Sequence, residues 1–251
     1  MPILDPRKAA AIVTGHSRGL GEAIASHLLS RGARVLGVSR RENSGLASRF
    51  PDALEQVQLD VADSGSLTRF LATDTMSRFL EDGTPVLVNN AGVLQPIGPL
   101  QSQDPELIMR AVSVNVGAVM AFSAAFIQAT ADTRERRILH VSSGAGRKPY
   151  AGWSIYCATK AAIDQHARCV ELDRTPHLAI ASVAPGVVDT EMQAEIRGSS
   201  DERFPDRPRF VALHRDKALP SPEQTGGRIV DYLLSDVFGR EAVFDLRDFG
   251  G

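Results

Sequence analysis

Cysteine, tryptophan and tyrosine are scarce in this chain: two, one and three residues respectively out of 251. Cys157 and Cys169 stand twelve positions apart within one helical pattern, which excludes a disulfide framework and offers no paired metal-ligand spacing. His16, His140 and His166 show no ligand spacing either, so no metal site is expected. Neither sign of charge is in excess. The 28 bases and 30 acids are interspersed and sum to −2, which leaves no electrostatic footprint for nucleic acid or an anionic membrane. Long apolar runs are missing as well. The opening "MPILDPRKAAAIVTG" places an acid and bases before a short apolar stretch, as a first strand does and a signal peptide does not. "AVMAFSAAFIQATA", from Ala118, is too short to span a bilayer. These absences predict a globular cytoplasmic protein with no nucleic-acid or membrane partner.

What is present is a 43% hydrophobic share, enough to fill the core of one α/β domain spanning 1–251. Short β-branched runs at 10–15, 34–39, 55–61, 86–92, 137–143, 179–186 and 242–246 alternate with stretches of helical period, such as Leu20, Ile24 and Leu28. Strands that are apolar throughout are buried on both faces, the mark of a parallel sheet covered by helices. Asp104 before Pro105, and "SPEQ" from Ser221, read as helix starts. Residues 195–220 break the rhythm with charge, proline and glycine; a loop of that length on the ligand side of such a sheet reads as a substrate lid.

"TGHSRGLG", Thr14 to Gly21, joins the first strand to the first helix. Gly15 allows a tight turn, Gly19 a close backbone approach and Gly21 tight helix–strand packing, and the helix N-terminus offers N–H groups to a pyrophosphate. Tyr156 and Lys160, in "YAGWSIYCATKAAID", are four apart on a predicted helix and share a face. A free tyrosine titrates near ~10, and a neighbouring ammonium would lower that value and fit the phenol for proton transfer. Cys157 lies about 100° around the helix from Tyr156 and reads as packing.

The T-G-x-x-x-G-x-G spacing, "NNAG" at 89–92, "LDV" at 59–61, Tyr156/Lys160 and "PGVVDT" at 185–190 follow one another in the order of the short-chain dehydrogenase/reductase family, which this chain resembles over most of its length. The resemblance implies a doubly wound Rossmann fold with strand order 3-2-1-4-5-6-7. It also implies a nicotinamide cofactor contacted by Gly15, Ser17, Arg18, Gly19, Leu20 and Gly21, by Asp60 and Val61, and by Asn89, Ala91 and Gly92. Tyr156 and Lys160, then Pro185, Gly186, Val188 and Thr190, complete those contacts. An NAD site wants a carboxylate at the end of the second strand, yet this strand ends Ser39-Arg40-Arg41. Guanidinium there, with Arg18 nearby, suits a 2′-phosphate and so NADP(H); spacing leaves open which of Arg40 and Arg41 makes the contact.

In the family, a serine thirteen residues before the tyrosine binds the substrate oxygen; Ser143 has that spacing, with Ser142 as the alternative. Asn115, in "VSVNVGA" on the predicted fourth helix, matches the asparagine that distorts its helix to hold a water beside the lysine. "GWSIYCATKAA" and "APGVVDTEMQ" are similar to sepiapterin reductases and to benzil reductase-like members. That likeness implies an α-dicarbonyl-like substrate between Ser143 and Tyr156, with Trp153 and Met192 on the pocket wall. Asp245, or less directly Asp248, would anchor an amino-pterin. It also implies a homodimer or homotetramer through the small-residue helices that begin at Asp104 and Ser154.

Overall fold

The computed structural model describes residues 2–250. Seven strands form one parallel sheet: β1 (Ala9–Thr14), β2 (Arg34–Ser39), β3 (Leu54–Gln58), β4 (Thr84–Asn89), β5 (Arg136–Val141), β6 (Leu178–Ala184) and β7 (Val243–Asp245). Their order across the sheet is β3-β2-β1-β4-β5-β6-β7, as expected. The reversal falls between β1 and β4, which both leave their carboxyl ends open to the same crevice. All six residues of β1 and of β5 are buried, which accounts for their unbroken apolar pattern.

Alternate residues of each strand feed two cores. Val13, Val35, Val86 and Val183 pack beneath α1 (Gly19–Ser30) and α10 (Pro222–Leu234). These two helices meet at Gly226, where a Cβ would come within 2.8 Å of the Ala23 methyl. Ile12, Leu36, Leu87 and Ile138 face the other layer. That layer holds α3 (Ser64–Leu71), α4 (Thr75–Leu80), α5 (Pro105–Val112), α6 (Ala118–Ala129) and α7 (Ser154–Leu172); a short α2 (Ser44–Arg49) lies between β2 and β3. Asp104 caps α5 through Glu106 N–H, and Ser221 and Gln224 close a reciprocal capping box on α10.

Three expectations change. Two short helices, α3 and α4, fill the crossover after β3, so Asn115 does not lie on a fourth helix. It sits in a π-helical turn, Ser113–Gly117, that joins α5 to α6. The joined helix Pro105–Ala129 has 25 residues and a mean hydropathy of 1.6, so by length and composition it could cross a membrane, whereas the run from Ala118 alone could not. Here Val114, Ala118, Phe122 and Phe126 of that helix are buried against the sheet. Residues 195–220 are not a loop. They contain the end of α8 (Glu191–Gly198) and all of α9 (Arg207–Arg215). Phe204 and Phe210 of this segment are buried in a third apolar cluster with Trp153, Tyr156, Leu94 and Ile196, over the carboxyl edge of the sheet.

Candidate active site

One cavity of about 500 Å³ runs along that edge, from the glycine loop past Tyr156 to β7. At its first end Gly15 and Gly19 have φ of +72° and +59°, left-handed values that glycine adopts without strain. At Gly21 a Cβ would lie 2.1 Å from Gly15 O, so only glycine lets α1 start this close to β1. No side chain caps α1, whose first-turn N–H groups are left for a ligand.

The loop is braced by Asn90, not by Asn89. Asn90 Nδ2 donates to Thr14 O at 3.0 Å and Gly15 O at 3.3 Å, while Thr14 Oγ1 accepts from Asn90 N and Ala91 N. Asn89, predicted as a cofactor contact, lies behind the cavity, where its amide meets Ser123 Oγ and His140 Nδ1, both at 3.2 Å. His16, to which the sequence assigned no role, is a second brace. Fully buried, it spans Gln56 Oε1 at 2.7 Å and Ser39 Oγ at 3.1 Å. Burial holds its pKa below the usual histidine value, so the ring is neutral.

Ser17, Arg18, Leu20, Ser39, Arg40, Arg41, Asp60, Val61, Ala91 and Gly92 all line this half. Asp60 and Val61 do so from just beyond β3, which ends at Gln58. Asp60 is pushed up by burial, but Ala62 N–H and the Arg110 guanidinium, 3.0 Å away, bring its pKa below the ordinary value. Arg18 forms an ion pair with Glu191 of α8, across the cleft.

The other half joins the predicted chemical residues. Ser143 lies two residues past β5, where its Oγ accepts from Ala145 N at 3.1 Å and starts a 3₁₀ turn. Ser142 also reaches the lining, but its hydroxyl is buried and unpartnered. Tyr156 and Lys160 project from the first turns of α7. Burial raises Tyr156 to about 12, with Ser143 pulling the other way, so the phenol is fully protonated at neutral pH. Burial, rather than Lys160, dominates that value. Lys160 Nζ lies 5.8 Å from the Tyr156 ring centroid and donates to Val141 O at 2.8 Å. Burial lowers Lys160 to about 8, against the opposing pull of Asp164 one turn on.

Asn115 is fully buried beside them. Its Oδ1 accepts from Val93 N and its Nδ2 donates to Val93 O, both at 2.8 Å, and Nδ2 reaches Thr159 Oγ1 at 3.2 Å. The π turn is what carries it there. A Cβ on Gly92 would sit 3.4 Å from Asn115 Oδ1 and 3.7 Å from Lys160 Nζ, so glycine keeps that gap open. Pro185, Gly186, Val188 and Thr190 border the same space from the β6–α8 connection.

Trp153 and Met192 both line the cavity. Trp153 stacks on Phe204 at 4.3 Å and meets Tyr156 edge-on at 5.6 Å, while Tyr156 Oη approaches Met192 Sδ at 3.9 Å. Asp245 is at the far end, but its carboxylate is occupied. Arg247 binds both oxygens, at 2.9 and 2.7 Å, and Arg147 lies 4.0 Å away. Arg247 above all holds its pKa below the ordinary carboxylate value. Asp248 is exposed and outside the cavity lining. Among the described residues no cluster of His, Cys, Asp and Glu could hold a metal ion.

A parallel sheet with a glycine cradle at its switch point, and a serine, tyrosine and lysine converging beyond it, defines a dinucleotide-dependent oxidoreductase. Comparison with known proteins agrees. The family model described as short chain dehydrogenase matches residues 9–201. Benzil reductase ((S)-benzoin forming) of Bacillus cereus is 37% identical over 237 residues, covering 90% of this chain and 94% of that protein. Sepiapterin reductase of Mus musculus is 28% identical over 264 residues, 96% and 97% of the two chains. A crystal structure of a short-chain dehydrogenase/reductase from Burkholderia vietnamiensis superposes with a TM-score of 0.70 at 44% identity, covering 98% and 99%. The chain belongs to the short-chain dehydrogenase/reductase family, whose enzymes act on carbonyl and alcohol groups with NAD(P).

Proposed function

We propose that the protein is an NADPH-dependent carbonyl reductase acting on ketones and vicinal dicarbonyls of the benzil type. The observation that carries this reading is the meeting of Ser143, protonated Tyr156 and Lys160 at the foot of an aromatic pocket walled by Trp153 and Phe210. The cofactor, when bound, supplies the hydride to the carbonyl carbon. Ser143 Oγ donates to the carbonyl oxygen and holds it against Tyr156, displacing the weak contact with Met192. The Tyr156 phenol gives its proton to that oxygen as the alkoxide forms. A phenol raised to about 12 rests in the form this direction requires. Proton resupply then passes through the gap that Gly92 keeps open between Lys160 and Asn115, where a water completes the relay.

Preference for the 2′-phosphorylated cofactor rests on Arg40 and Arg41, exposed at the cavity edge after β2, with no carboxylate at the strand end to repel a phosphate. A pterin is the weaker substrate, because Asp245 is already held by Arg247 and an aminopyrimidine would have to displace it. A homo-oligomer fits the exposed Leu107, Met109 and Val112 of α5 and Leu172 of α7, together with the exposed Ala124, Ala158 and Ala161. Cytoplasmic residence fits Cys157 and Cys169, both unpaired.

The deciding experiment is NADPH oxidation with benzil by wild type and by Tyr156→Phe. Loss of about 10²–10⁴-fold in kcat, with NADPH still bound, is expected for removal of the proton donor. Equal rates would overturn the assignment.

A further inference from the structure

The outer end of the cavity is built by two elements far apart in sequence: α9, and the turn Leu246–Asp248 that comes after β7. Each contributes an arginine to the lining, Arg209 and Arg247. Their situations differ. Arg247 directs Nε and Nη2 at the two oxygens of Asp245, which neutralises that carboxylate and leaves Nη1 unengaged. The Arg209 guanidinium has no acidic partner and no hydrogen-bond acceptor among the described residues; it lies 5.8 Å from the Phe210 ring centroid. The remaining acids of the cavity are also paired, Glu191 with Arg18 and Asp60 with Arg110. Besides Lys160, the substrate end therefore carries one cation with no acid paired to it, Arg209. It stands, exposed to solvent, at the rim of a wall of Phe210, Trp153 and Met192.

We propose that the substrate is a ketone or vicinal dicarbonyl bearing a carboxylate at the end remote from the reacting carbonyl, received by Arg209, with Arg247 also in the cavity lining. The proposal rests on the carbonyl-reductase reading above and narrows its substrate class. A guanidinium fork matches a planar carboxylate through two parallel hydrogen bonds, so recognition is geometric as well as electrostatic. The aromatic wall takes the carbon skeleton between the two polar ends.

The test compares benzil with 4-carboxybenzil for wild type, Arg209→Gln and Arg209→Lys, by NADPH oxidation at low and high salt. Wild type should favour the carboxylated diketone about tenfold in kcat/KM, through KM, and the preference should shrink with salt. Arg209→Gln should bring the ratio near one, and Arg209→Lys should restore part of it. Equal kcat/KM for the two diketones in wild type, or an undiminished ratio in Arg209→Gln, overturns the proposal while leaving carbonyl reduction intact. If neither diketone is reduced, the broader reading fails. Calorimetric binding of 4-carboxybenzil to the NADPH-loaded protein and its Arg209→Gln variant then still decides the anion site: a similar Kd for both refutes it.

Discussion

Lys160 stands near Tyr156 without a hydrogen bond to its hydroxyl: Nζ is 5.8 Å from the ring centroid and is bonded to Val141 O. The lysine charge and the phenol proton are therefore separate titrations, near 8 and near 12. Diketone reduction should fall above pH 8, by about tenfold per unit, as the ammonium is lost. Lys160→Arg, which stays charged, should move that limb upward. Lys160 titrates lower in the fold, at about 8, than its ordinary 10.5, so the unfolded chain holds more protons in that window and stability rises with pH across it. Denaturant titrations at pH 8 and 9.5 thus separate loss of the charge from unfolding. A profile flat to pH 10 would contradict the role given to Lys160.

Cofactor choice is tested at the end of β2. Exchanging Arg40 and Arg41 together for alanine should raise KM for NADPH by roughly 10–100-fold, the worth of one charge-assisted phosphate contact, with NADH little affected. An unchanged NADPH/NADH ratio would show that the phosphate is held elsewhere, and the single variants tell which arginine contributes more.

His140 makes the protein acid-sensitive through a group that takes no part in the chemistry. Burial, then the neighbouring His166 and Lys160, hold it at about 3, against 6.5 in the unfolded chain. The unfolded state takes up this proton first, so stability is complete above about 6.5 and is lost as pH falls toward 3. Between pH 7 and 5 the loss should be on the order of 2 kcal/mol. Urea unfolding at the two pH values measures it; His140→Gln should flatten most of the slope, with His166 accounting for the remainder.

Gly37 is fixed by a side chain rather than by its own backbone. A Cβ there would lie 2.4 Å from the His16 ring, so Gly37→Ala should evict the histidine that links the glycine loop to Ser39 and Gln56. A cost of about 1–3 kcal/mol in stability is expected, with a several-fold weaker Kd for NADPH measured by fluorescence titration. Gly37→Ala with His16→Ala should recover stability but not affinity.

Strand positions were legible in the sequence to within one or two residues, except that the third and fourth runs reached three residues beyond β3 and β4, because strands buried on both faces show as unbroken apolar runs. Ser143, Tyr156 and Lys160 were legible because helical and strand-end spacing is a local property. What escaped depends on facing. "NNAG" does not reveal that Asn90 turns toward the glycine loop and Asn89 toward α6. The 195–220 segment hid its helices because α9 buries only Phe210, leaving no apolar stripe. Nor could the spacing of Tyr156 and Lys160 disclose that burial sets both their acidities. His16 occupies an unspecified position of the glycine loop, and its partners lie 23 and 40 residues away.

The π turn at Ser113–Gly117 gives the helix one residue more than a regular α-helix would use over the same path. Each helical residue turns the chain by about 100° around the axis, so that extra residue sets the phase between two surfaces. On one side stand Leu107, Met109 and Val112, open to the exterior; on the other, Phe122 and Phe126 are sealed against the sheet. Asn115 sits at the junction. Removing any one residue from the turn would let the helix run straight, but only by unlocking Val93 from Asn115 and swinging the outer apolar stripe out of alignment. The outward face of this helix and the reach of its asparagine therefore cannot vary independently, and an insertion or deletion here changes both together.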